Sequence, residues 1–270
     1  MNSPAVHSLH IYPIKSCGGI SLQQVNLDKY GFENDRRWMI TDINGELISQ
    51  RDNPELALVR TAIDKGVLRA TYKGDSIELP LNSEKEHEFY TALWGSAPFS
   101  VYDEGREAAD FFSDILNCKC RLVNRSESFN RVVASGLIVG EHPVGFCDSH
   151  PLLVLTQNSL RELNHRIKEP MLSDRFRANI IIEGDLDSFA EDDWRVFEID
   201  NKLFDFGKRC ARCVVTTINQ QTAEKGQEPL RELANFRRDH HTGKVWFGAY
   251  YTNRMASGHI SVGSPVNIHQ

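Results

Sequence analysis

The chain has 270 residues, of which 40% are hydrophobic and 25% are charged, and its formal net charge is −6. This length suits one large or two modest domains, and the negative charge gives no electrostatic reason to expect nucleic-acid binding. Because no apolar run is long enough to span a membrane and no signal-peptide core begins the chain, we expect a cytoplasmic protein without a membrane span. The six cysteines do not predict a disulfide framework in a chain of this size.

Short strand patterns separated by turn residues dominate the first half of the chain. The predicted strands are Val6–Tyr12, Arg37–Thr41, Leu47–Gln50, Leu56–Ile63, Val67–Tyr72, Ser76–Leu79 and Arg121–Val123. Asn44-Gly45, between the second and third of these strands, is a strong hairpin signal. Arg106–Leu116 has apolar residues at helical spacing and predicts a helix.

The second half continues in the same manner with two predicted helices. Its strands are Leu152–Thr156, Ala178–Glu183, Trp194–Ile199, Lys202–Phe206, Val214–Ile218, Val245–Tyr251 and Val266–Ile268, and its helices are Ser159–Ile167 and Pro229–Phe236. Many short strands with few helices predict a β-rich, α+β fold of closed or half-closed β-barrels. The polar stretch Asn124–Phe129 suggests two domains, residues 1–123 and 124–270. Neither Gly-x-Gly-x-x-Gly nor a P-loop is present, which argues against a doubly wound nucleotide-binding fold.

The segment that ends at Cys213 carries two cysteines three residues apart, each directly preceded by an arginine. A neighbouring guanidinium favours the thiolate, the form that binds soft metals, and arginine also offers a planar donor fork for phosphate. In an extended segment, Cys210 and Cys213 would point to opposite faces, which argues against both binding one ion. A strand start with one buried cysteine and two solvated arginines would explain the same pattern. The pair alone does not indicate a structural zinc site, because such a site needs four ligands.

Several further motifs accompany this segment in a fixed order. They are Tyr12-Pro13-Ile14-Lys15-Ser16, Asp35-Arg36-Arg37-Trp38, Ser49-Gln50-Arg51 with Pro54, Phe146-Cys147-Asp148-Ser149-His150-Pro151, Arg175-Phe176-Arg177-Ala178-Asn179 and Cys210–Thr217. Together they resemble the MOSC family, named for the C-terminal domain of molybdenum cofactor sulfurase, with its partner N-terminal β-barrel domain. The chain is similar in particular to mitochondrial amidoxime-reducing components and their bacterial homologues. The resemblance covers nearly the whole chain and implies a MOSC-type barrel preceded by a β-rich domain.

The resemblance also implies a cofactor, the molybdenum cofactor, and residues that hold it. The family binds molybdenum through a pterin dithiolene and one cysteine thiolate, and the matching position is Cys213. The implied donors to the pterin and its phosphate are Lys15, Ser16, Arg36, Ser149, Arg177, Asn179 and Arg212. Lys15 and Ser16 precede Gly18-Gly19, where backbone amides are expected to approach an anion closely.

Asp148 is the candidate for proton handling beside the metal. Reduction of an N–O bond consumes two protons and two electrons, so an acid near the reacting atoms is useful. An aspartate in a turn equally suits a purely local role as turn former. His150 is the second choice. Cys118 and Cys120 lack further ligands and are predicted to be packing residues.

The leading functional hypothesis is a molybdenum-dependent reductase of small N-hydroxylated compounds. The sequence stops at Gln270 without the Cys-x4-Cys-x2-Cys ferredoxin pattern that several bacterial relatives carry. Electrons are therefore expected from a separate flavin, haem or iron–sulfur protein. Two alternatives remain open, namely non-catalytic carriage or storage of the cofactor and sulfur transfer through a persulfide on Cys213.

Overall fold

The computed structural model describes residues 2–82, 88–133 and 140–269. The strands of the first half are β1 (Ala5–Ile11), β2 (Ile20–Leu22), β3 (Gln24–Asp28), β4 (Gly31–Phe32), β5 (Trp38–Asp42), β6 (Leu47–Ile48), β7 (Arg60–Asp64), β8 (Val67–Tyr72), β9 (Asp75–Pro80), β10 (Glu88–Thr91), β11 (Phe99–Asp103) and β12 (Cys120–Arg125). Those of the second half are β13 (Val132–Val133), β14 (His142–Pro143), β15 (Leu152–Thr156), β16 (Ile180–Glu183), β17 (Val196–Ile199), β18 (Lys202–Ala211), β19 (Trp246–Asn253), β20 (His259–Ser261) and β21 (Val266–His269).

Helices are few within these described ranges. The α-helices are α1 (Arg106–Leu116), α2 (Gln157–Arg166) and α3 (Leu230–Phe236), and the 3-10 helices are Pro54–Leu58, Ser173–Phe176, Ala190–Asp192 and Val214–Thr217. None of the described helices combines the length and the apolar character that crossing a membrane requires. The β-rich, α+β fold class predicted from the sequence is confirmed.

Two large sheets organise the strands. The first has eight strands in the order β2-β1-β16-β15-β19-β18-β17-β21, and the second has five in the order β10-β11-β12-β5-β6. Strand β1 pairs antiparallel with β16, so the N-terminal segment is part of a sheet built mainly from the second half of the chain. The division at residue 123 stays a prediction, and strand β12 runs across it.

Each sheet covers its own apolar core. The core of the eight-stranded sheet includes Phe197, Phe204 and Tyr251, and the rings of Phe197 and Phe204 stack with centroids 4.8 Å apart. The second core lies against helix α1, whose Phe112 is fully buried. The helical spacing of Arg106–Leu116 predicted this helix with the bounds it has in the structure.

Two predicted strands are wrong in part because local hydrogen bonds favour a tighter backbone. Val214–Thr217 forms a 3-10 helix because the hydroxyls of Thr216 and Thr217 donate to the carbonyls of Cys213 (3.0 Å) and Val214 (2.8 Å), a competition typical of threonine. The predicted strand Leu56–Ile63 begins instead as the 3-10 helix Pro54–Leu58, with proline at its first turn, where its fixed φ is favourable. Only its second part is strand β7.

The other cysteine pair differs from expectation in one member. Cys120 is buried in the second core, and its backbone amide donates to the Ser113 hydroxyl at 3.1 Å. Cys118 is exposed instead of packed, since it follows the left-handed residue Asn117 that ends helix α1. Both are free thiols.

A buried carboxyl group lies beside the start of helix α2. Glu191 is fully buried, and its Oε2 accepts hydrogen bonds from the hydroxyls of Thr156 (3.0 Å) and Ser159 (2.8 Å). Its Oε1 has no partner among the described residues. Burial, reinforced by the nearby charge of Asp192, raises the pKa of Glu191 to about 7. The folded protein therefore keeps a proton on Glu191 that the unfolded chain releases at lower pH.

The first testable prediction is that this proton makes the stability of the folded protein depend on pH. As the pH rises from about 4.5 to 7, the free energy of unfolding should fall by up to about 3 kcal/mol because of Glu191 alone. Glu191→Gln keeps an oxygen acceptor but cannot ionise, so its stability should decline less. Urea unfolding at pH 5 and pH 8 measures both declines, and Glu127→Gln, at an exposed position, is the control. Equal declines in all three proteins would show that Glu191 is ionised in the folded state.

Candidate functional site

A cleft opens where the ends of strands from the two large sheets meet. It is bordered by the segments that follow β1, β6 and β18 and by the turn that leads into β15. The structure brings eight of the nine predicted site residues to its wall. They are Lys15, Ser16, Arg36, Asp148, Arg177, Asn179, Arg212 and Cys213.

Main-chain hydrogen bonds hold two of the motifs together at this point. The amide of Arg36 donates to the carbonyl of Tyr12 at 2.9 Å, and the amide of Lys15 donates to the carbonyl of Trp38 at 2.8 Å. The carboxylate of Asp35 accepts from the amide of Tyr12 at 2.7 Å. The segment after β1 is therefore fixed to the segment that enters β5.

Positive charge dominates the described lining of the cleft. Asp148 is its one carboxylate, against five cationic side chains: Lys15, Arg36, Arg51, Arg177 and Arg212. Lys15 is buried, and the four arginines are partly buried. Such a concentration of cations is costly to hold out of bulk water unless an anion compensates it.

Asp148 forms the main ion pair of the cleft. The ammonium of Lys15 donates to Asp148 Oδ1 and to the carbonyl of Phe146 (2.8 Å), and the indole of Trp94 donates to the same Oδ1 at 3.1 Å. Arg51 Nη2 lies 3.9 Å from Asp148 Oδ2. Burial alone would raise the pKa of the Asp148 carboxyl, but Lys15 and these hydrogen bonds hold it well below its usual range. Asp148 is therefore ionised at neutral pH and has no proton to donate, so the proton handling predicted for it is restricted to accepting.

Arg36 is ion-paired and fully engaged within the protein. Its guanidinium donates to Asp35 Oδ2 (2.5 Å), to Asn179 Oδ1 (2.9 Å) and to the carbonyl of Arg177 (2.8 Å). Burial alone would lower the pKa of Arg36, but Asp35 raises it. Arg36 thus fixes the backbone of Arg177 in addition to lining the cleft.

Asn179 serves as a connector between strands. It is 1% exposed, its Oδ1 also accepts from the amide of Leu153 (3.1 Å), and its Nδ2 donates to the carbonyl of His10 (3.1 Å). These contacts indicate that Asn179 positions Arg36, whereas its direct donation to a cofactor stays a prediction.

Arg177 has no carboxylate within 4 Å among the residues that the structure describes. Its Nη1 donates to the carbonyl of Cys17 at 2.6 Å, and its guanidinium lies over the ring of Tyr12 at 4.3 Å, with that of Arg36 at 4.4 Å from the same ring. Burial and the like charge of Arg36 lower the pKa of Arg177 to about 10. The group remains a cation at neutral pH, and no carboxylate of the described residues forms an ion pair with it.

The two cysteines of the segment Cys210–Cys213 have different surroundings. Cys210 is 1% exposed and accepts a hydrogen bond from Arg212 Nη1 at 3.0 Å, while Arg212 Nη2 donates to the carbonyl of Phe176 at 2.7 Å. Arg212 Nε is buried without a partner in the described chain. Cys213 follows the end of β18, is partly exposed, and lies 3.9 Å from Arg51 Nη2. Cys210 therefore packs and orients Arg212, which leaves Cys213 as the accessible thiol.

Strained backbone is concentrated around this cleft. Ser16, Arg36, Trp94 and Arg177 all line it, and their φ angles are 74°, 43°, 53° and 55°. Left-handed conformations cost L-residues with side chains roughly 1–2 kcal/mol each. Surrounding hydrogen bonds must hold these residues in place, a feature that clusters at functional sites.

Ser149 is not among the residues that line the cleft, and its predicted donation to the cofactor stays a prediction. Its hydroxyl instead pairs with His150 Nδ1 at 2.9 Å, and the fully buried ring of His150 lines the cleft and stacks on Tyr250. Burial lowers the pKa of His150 to about 4, so the ring is neutral. A side chain at Gly207 would approach the ring to 2.3 Å, so a glycine is needed there.

The glycines after Ser16 lie where the chain packs closely on itself. A Cβ at Gly19 would lie 2.5 Å from the ring of Tyr12, and one at Gly18 would lie 2.9 Å from the carbonyl of Val59. Both positions therefore permit close packing of the protein on itself, and the approach of an anion to their amides stays a prediction.

Arg51 and Trp94 are among the lining residues that received no role from the sequence. Arg51 belongs to the motif Ser49-Gln50-Arg51, and this motif was the sequence signal that could have identified it. Gln50 of the same motif fixes the loop by donating to the carbonyl of Ser16 at 2.6 Å. Trp94 lies outside every motif, so only the fold places it beside Arg51 and Asp148.

The described residues fit the anionic cofactor that the resemblance implies. Arg177 has no carboxylate partner, Arg212 has an unpaired buried Nε, and both line the cleft that contains the Cys213 thiol. Guanidinium groups of this kind suit phosphate, and a thiolate suits molybdenum. Within residues 2–82, 88–133 and 140–269, no group of three or more His, Cys, Asp or Glu side chains is arranged to hold a metal ion.

Comparison with known families and proteins gives matches along most of the chain. The model of the MOSC N-terminal beta barrel domain matches residues 3–119, and that of the MOSC domain matches residues 141–267. The molybdenum cofactor sulfurases of Bombyx mori and Danio rerio are 33% and 30% identical over 89% and 98% of this chain, but over 31% and 34% of their own length. Mitochondrial amidoxime-reducing component 1 of Mus musculus is 29% identical over 97% of this chain and 81% of its own length. The chain thus spans about a third of the sulfurases.

The Lys15–Asp148 pair allows a second prediction, which concerns stability. Asp148→Asn removes the charge that compensates the buried Lys15. The free energy of unfolding of the cofactor-free protein should therefore fall by about 1–2 kcal/mol. This loss is smaller than for a fully buried pair because Asp148 is 45% exposed. Adding Lys15→Met should recover part of this loss. Urea unfolding of the two single variants and the double variant measures the coupling. Additive effects would contradict a stabilising ion pair.

Proposed function

We propose that this chain, which belongs to the family of proteins with a MOSC N-terminal β-barrel domain and a MOSC domain, is a molybdenum-cofactor-dependent reductase of small N-hydroxylated compounds. One observation carries the proposal. The accessible Cys213 thiol shares a cleft with Arg177 and Arg212, neither of which has a carboxylate partner among the described residues. The similarity to an amidoxime-reducing component over 97% of this chain supports the reaction class.

The chain's own residues would bind the cofactor in two places. Arg177 and Arg212 would donate charge-assisted hydrogen bonds to its phosphate, and Ser16 and Lys15 would lie beside them. Cys213 would be the protein ligand of the metal. When bound, the cofactor supplies a two-electron redox centre for removing oxygen from an N–O bond.

The remaining residues would act on the substrate. Reduction of an amidoxime to an amidine takes up two electrons and two protons and releases water. Asp148, as a carboxylate, would orient the substrate by accepting a hydrogen bond from its N–H or O–H group at Oδ2, which lies 3.9 Å from Arg51 Nη2. Because Asp148 is ionised and His150 is neutral, the protons would come from solvent that enters through the exposed side of the cleft.

The electrons would come from a separate donor protein carrying a flavin, a haem or an iron–sulfur cluster. Each turnover needs two electrons. Cys213, the accessible thiol of the cleft, would be bound to the metal and would not supply them. We propose only the redox class of this donor.

Carriage of the cofactor without catalysis is the second candidate. The observation that favours it is the match to about a third of two molybdenum cofactor sulfurases at 30–33% identity. Both candidates need the same cofactor-binding residues, so turnover distinguishes them.

The third prediction tests the proposed function directly. Protein made in a host that synthesises the cofactor should contain about one molybdenum per chain and should reduce benzamidoxime with reduced viologen but not with NADH alone. Cys213→Ser should lower turnover by about 100-fold or more, since a hard hydroxyl replaces a soft thiolate, whereas Cys118→Ser, at an exposed thiol, should not. Full molybdenum loading without turnover would favour the carrier, and stoichiometric zinc would exclude both.

The fourth prediction concerns cofactor retention. Arg177→Met should weaken cofactor binding by about 10- to 150-fold, the loss of a charge-assisted hydrogen bond worth about 1.5–3 kcal/mol. The same variant without cofactor should be at least as stable as wild type, because it removes a partly buried cation without a carboxylate partner. Molybdenum content after dialysis and urea unfolding give the two quantities. Arg175→Met is the matched control, since Arg175 does not line the cleft, and full retention in Arg177→Met would rule out the anchoring role.

A further inference from the structure

Trp94 is a large, half-exposed aromatic side chain on the wall of the cleft, and it lies outside the sequence motifs. It lines the same cleft as Cys213, and 49% of its surface is exposed. Large aromatic side chains are usually more buried than this. An exposed indole at the opening of a site is therefore available for a ligand.

Three contacts hold the Trp94 ring in one orientation. Its Nε1 donates to Asp148 Oδ1 at 3.1 Å, the guanidinium of Arg51 lies 3.9 Å from the ring centroid, and the ammonium of Lys15 lies 5.9 Å from it. The backbone of Trp94 is in the left-handed region, with φ at 53°. A side chain held in this way loses little conformational entropy when a ligand packs on it.

Neighbouring side chains link the Trp94 ring to the part of the cleft that contains Cys213. Arg51, which stacks on Trp94, also lies 3.9 Å from the sulfur of Cys213. Asp148 accepts the indole hydrogen bond at Oδ1, and its Oδ2 lies 3.9 Å from Arg51 Nη2. A ligand with its N–O group directed toward Cys213 would thus have its remaining part next to the indole.

We propose that Trp94 is a specificity-determining residue that selects substrates in which the N-hydroxylated group is conjugated to a flat aromatic ring. The proposal rests on the proposed function and specifies its substrate class. Aromatic rings gain from offset or edge contacts with an indole beyond simple area burial. An alkyl substituent of the same polar group gains much less.

The experiment compares two substrates that differ only in the substituent, benzamidoxime and acetamidoxime, with reduced viologen as reductant. In Trp94→Ala, kcat/KM for benzamidoxime should fall about 10-fold through KM, and that for acetamidoxime should change less than about 2-fold. Trp94→Phe keeps an aromatic face without the indole donor and should retain most of the preference. Tyr90→Ala is the matched control, because Tyr90 is 72% exposed but does not line the cleft.

A second measurement does not depend on turnover. Calorimetric titration with benzamidine and acetamidine, which carry the same charge, should show that wild type prefers benzamidine and that Trp94→Ala loses about 10-fold of this preference. An equal effect of Trp94→Ala on both members of either pair would overturn the proposal. So would a loss of molybdenum from Trp94→Ala, since Trp94 would then contact the cofactor. If molybdenum-loaded wild type reduces neither amidoxime, the proposed function fails, and the amidine titrations still decide the role of Trp94.

Discussion

Mutual repulsion among the cations of the cleft is the constraint that the rest of the site has to accommodate. Lys15 is compensated by Asp148, and Arg36 by Asp35. Arg177 and Arg212 have no such partner in the described parts of the chain, and the lowered pKa of Arg177 reflects both burial and the charge of Arg36. A protein holds partly buried cations without a carboxylate partner at a cost in stability, which a bound anion would offset.

The fold supplies the rigidity that this arrangement needs. Strand β1 lies in the eight-stranded sheet, and the segment that leaves it is bonded to β5 of the five-stranded sheet, so Lys15 and Ser16 are anchored from both sides. The ring of Tyr12 lies under the guanidinium groups of Arg36 and Arg177 and contributes cation–π attraction, which partly replaces lost hydration. Left-handed backbone at these positions is tolerated because neighbouring bonds fix it.

The sequence predicted the parts of the structure that depend on local chemistry or on complete motifs. Helix α1 and the hairpin around Asn44-Gly45 follow from periodicity and turn chemistry, and the resemblance identified most of the residues that line the cleft. Trp94 was missed because only the tertiary fold brings it beside Asp148. A residue match does not specify which of two neighbouring side chains turns toward the cleft, and here His150 lines it whereas Ser149 does not.

In the proposed function, the charge pattern would also separate cofactor anchoring from substrate contact. Asp148 and Trp94 are about half exposed, whereas Arg36 is 11% exposed, so the carboxylate and the indole lie nearer the opening than the cationic wall. Because their pKa values are lowered, Asp148 is charged and His150 is neutral above about pH 5. A phosphate ester has a second pKa of about 6, so its ionisation near neutral pH would add negative charge while these two side chains stay unchanged. Electrostatic attraction between the cofactor and Arg177 would therefore strengthen as the pH rises through that range.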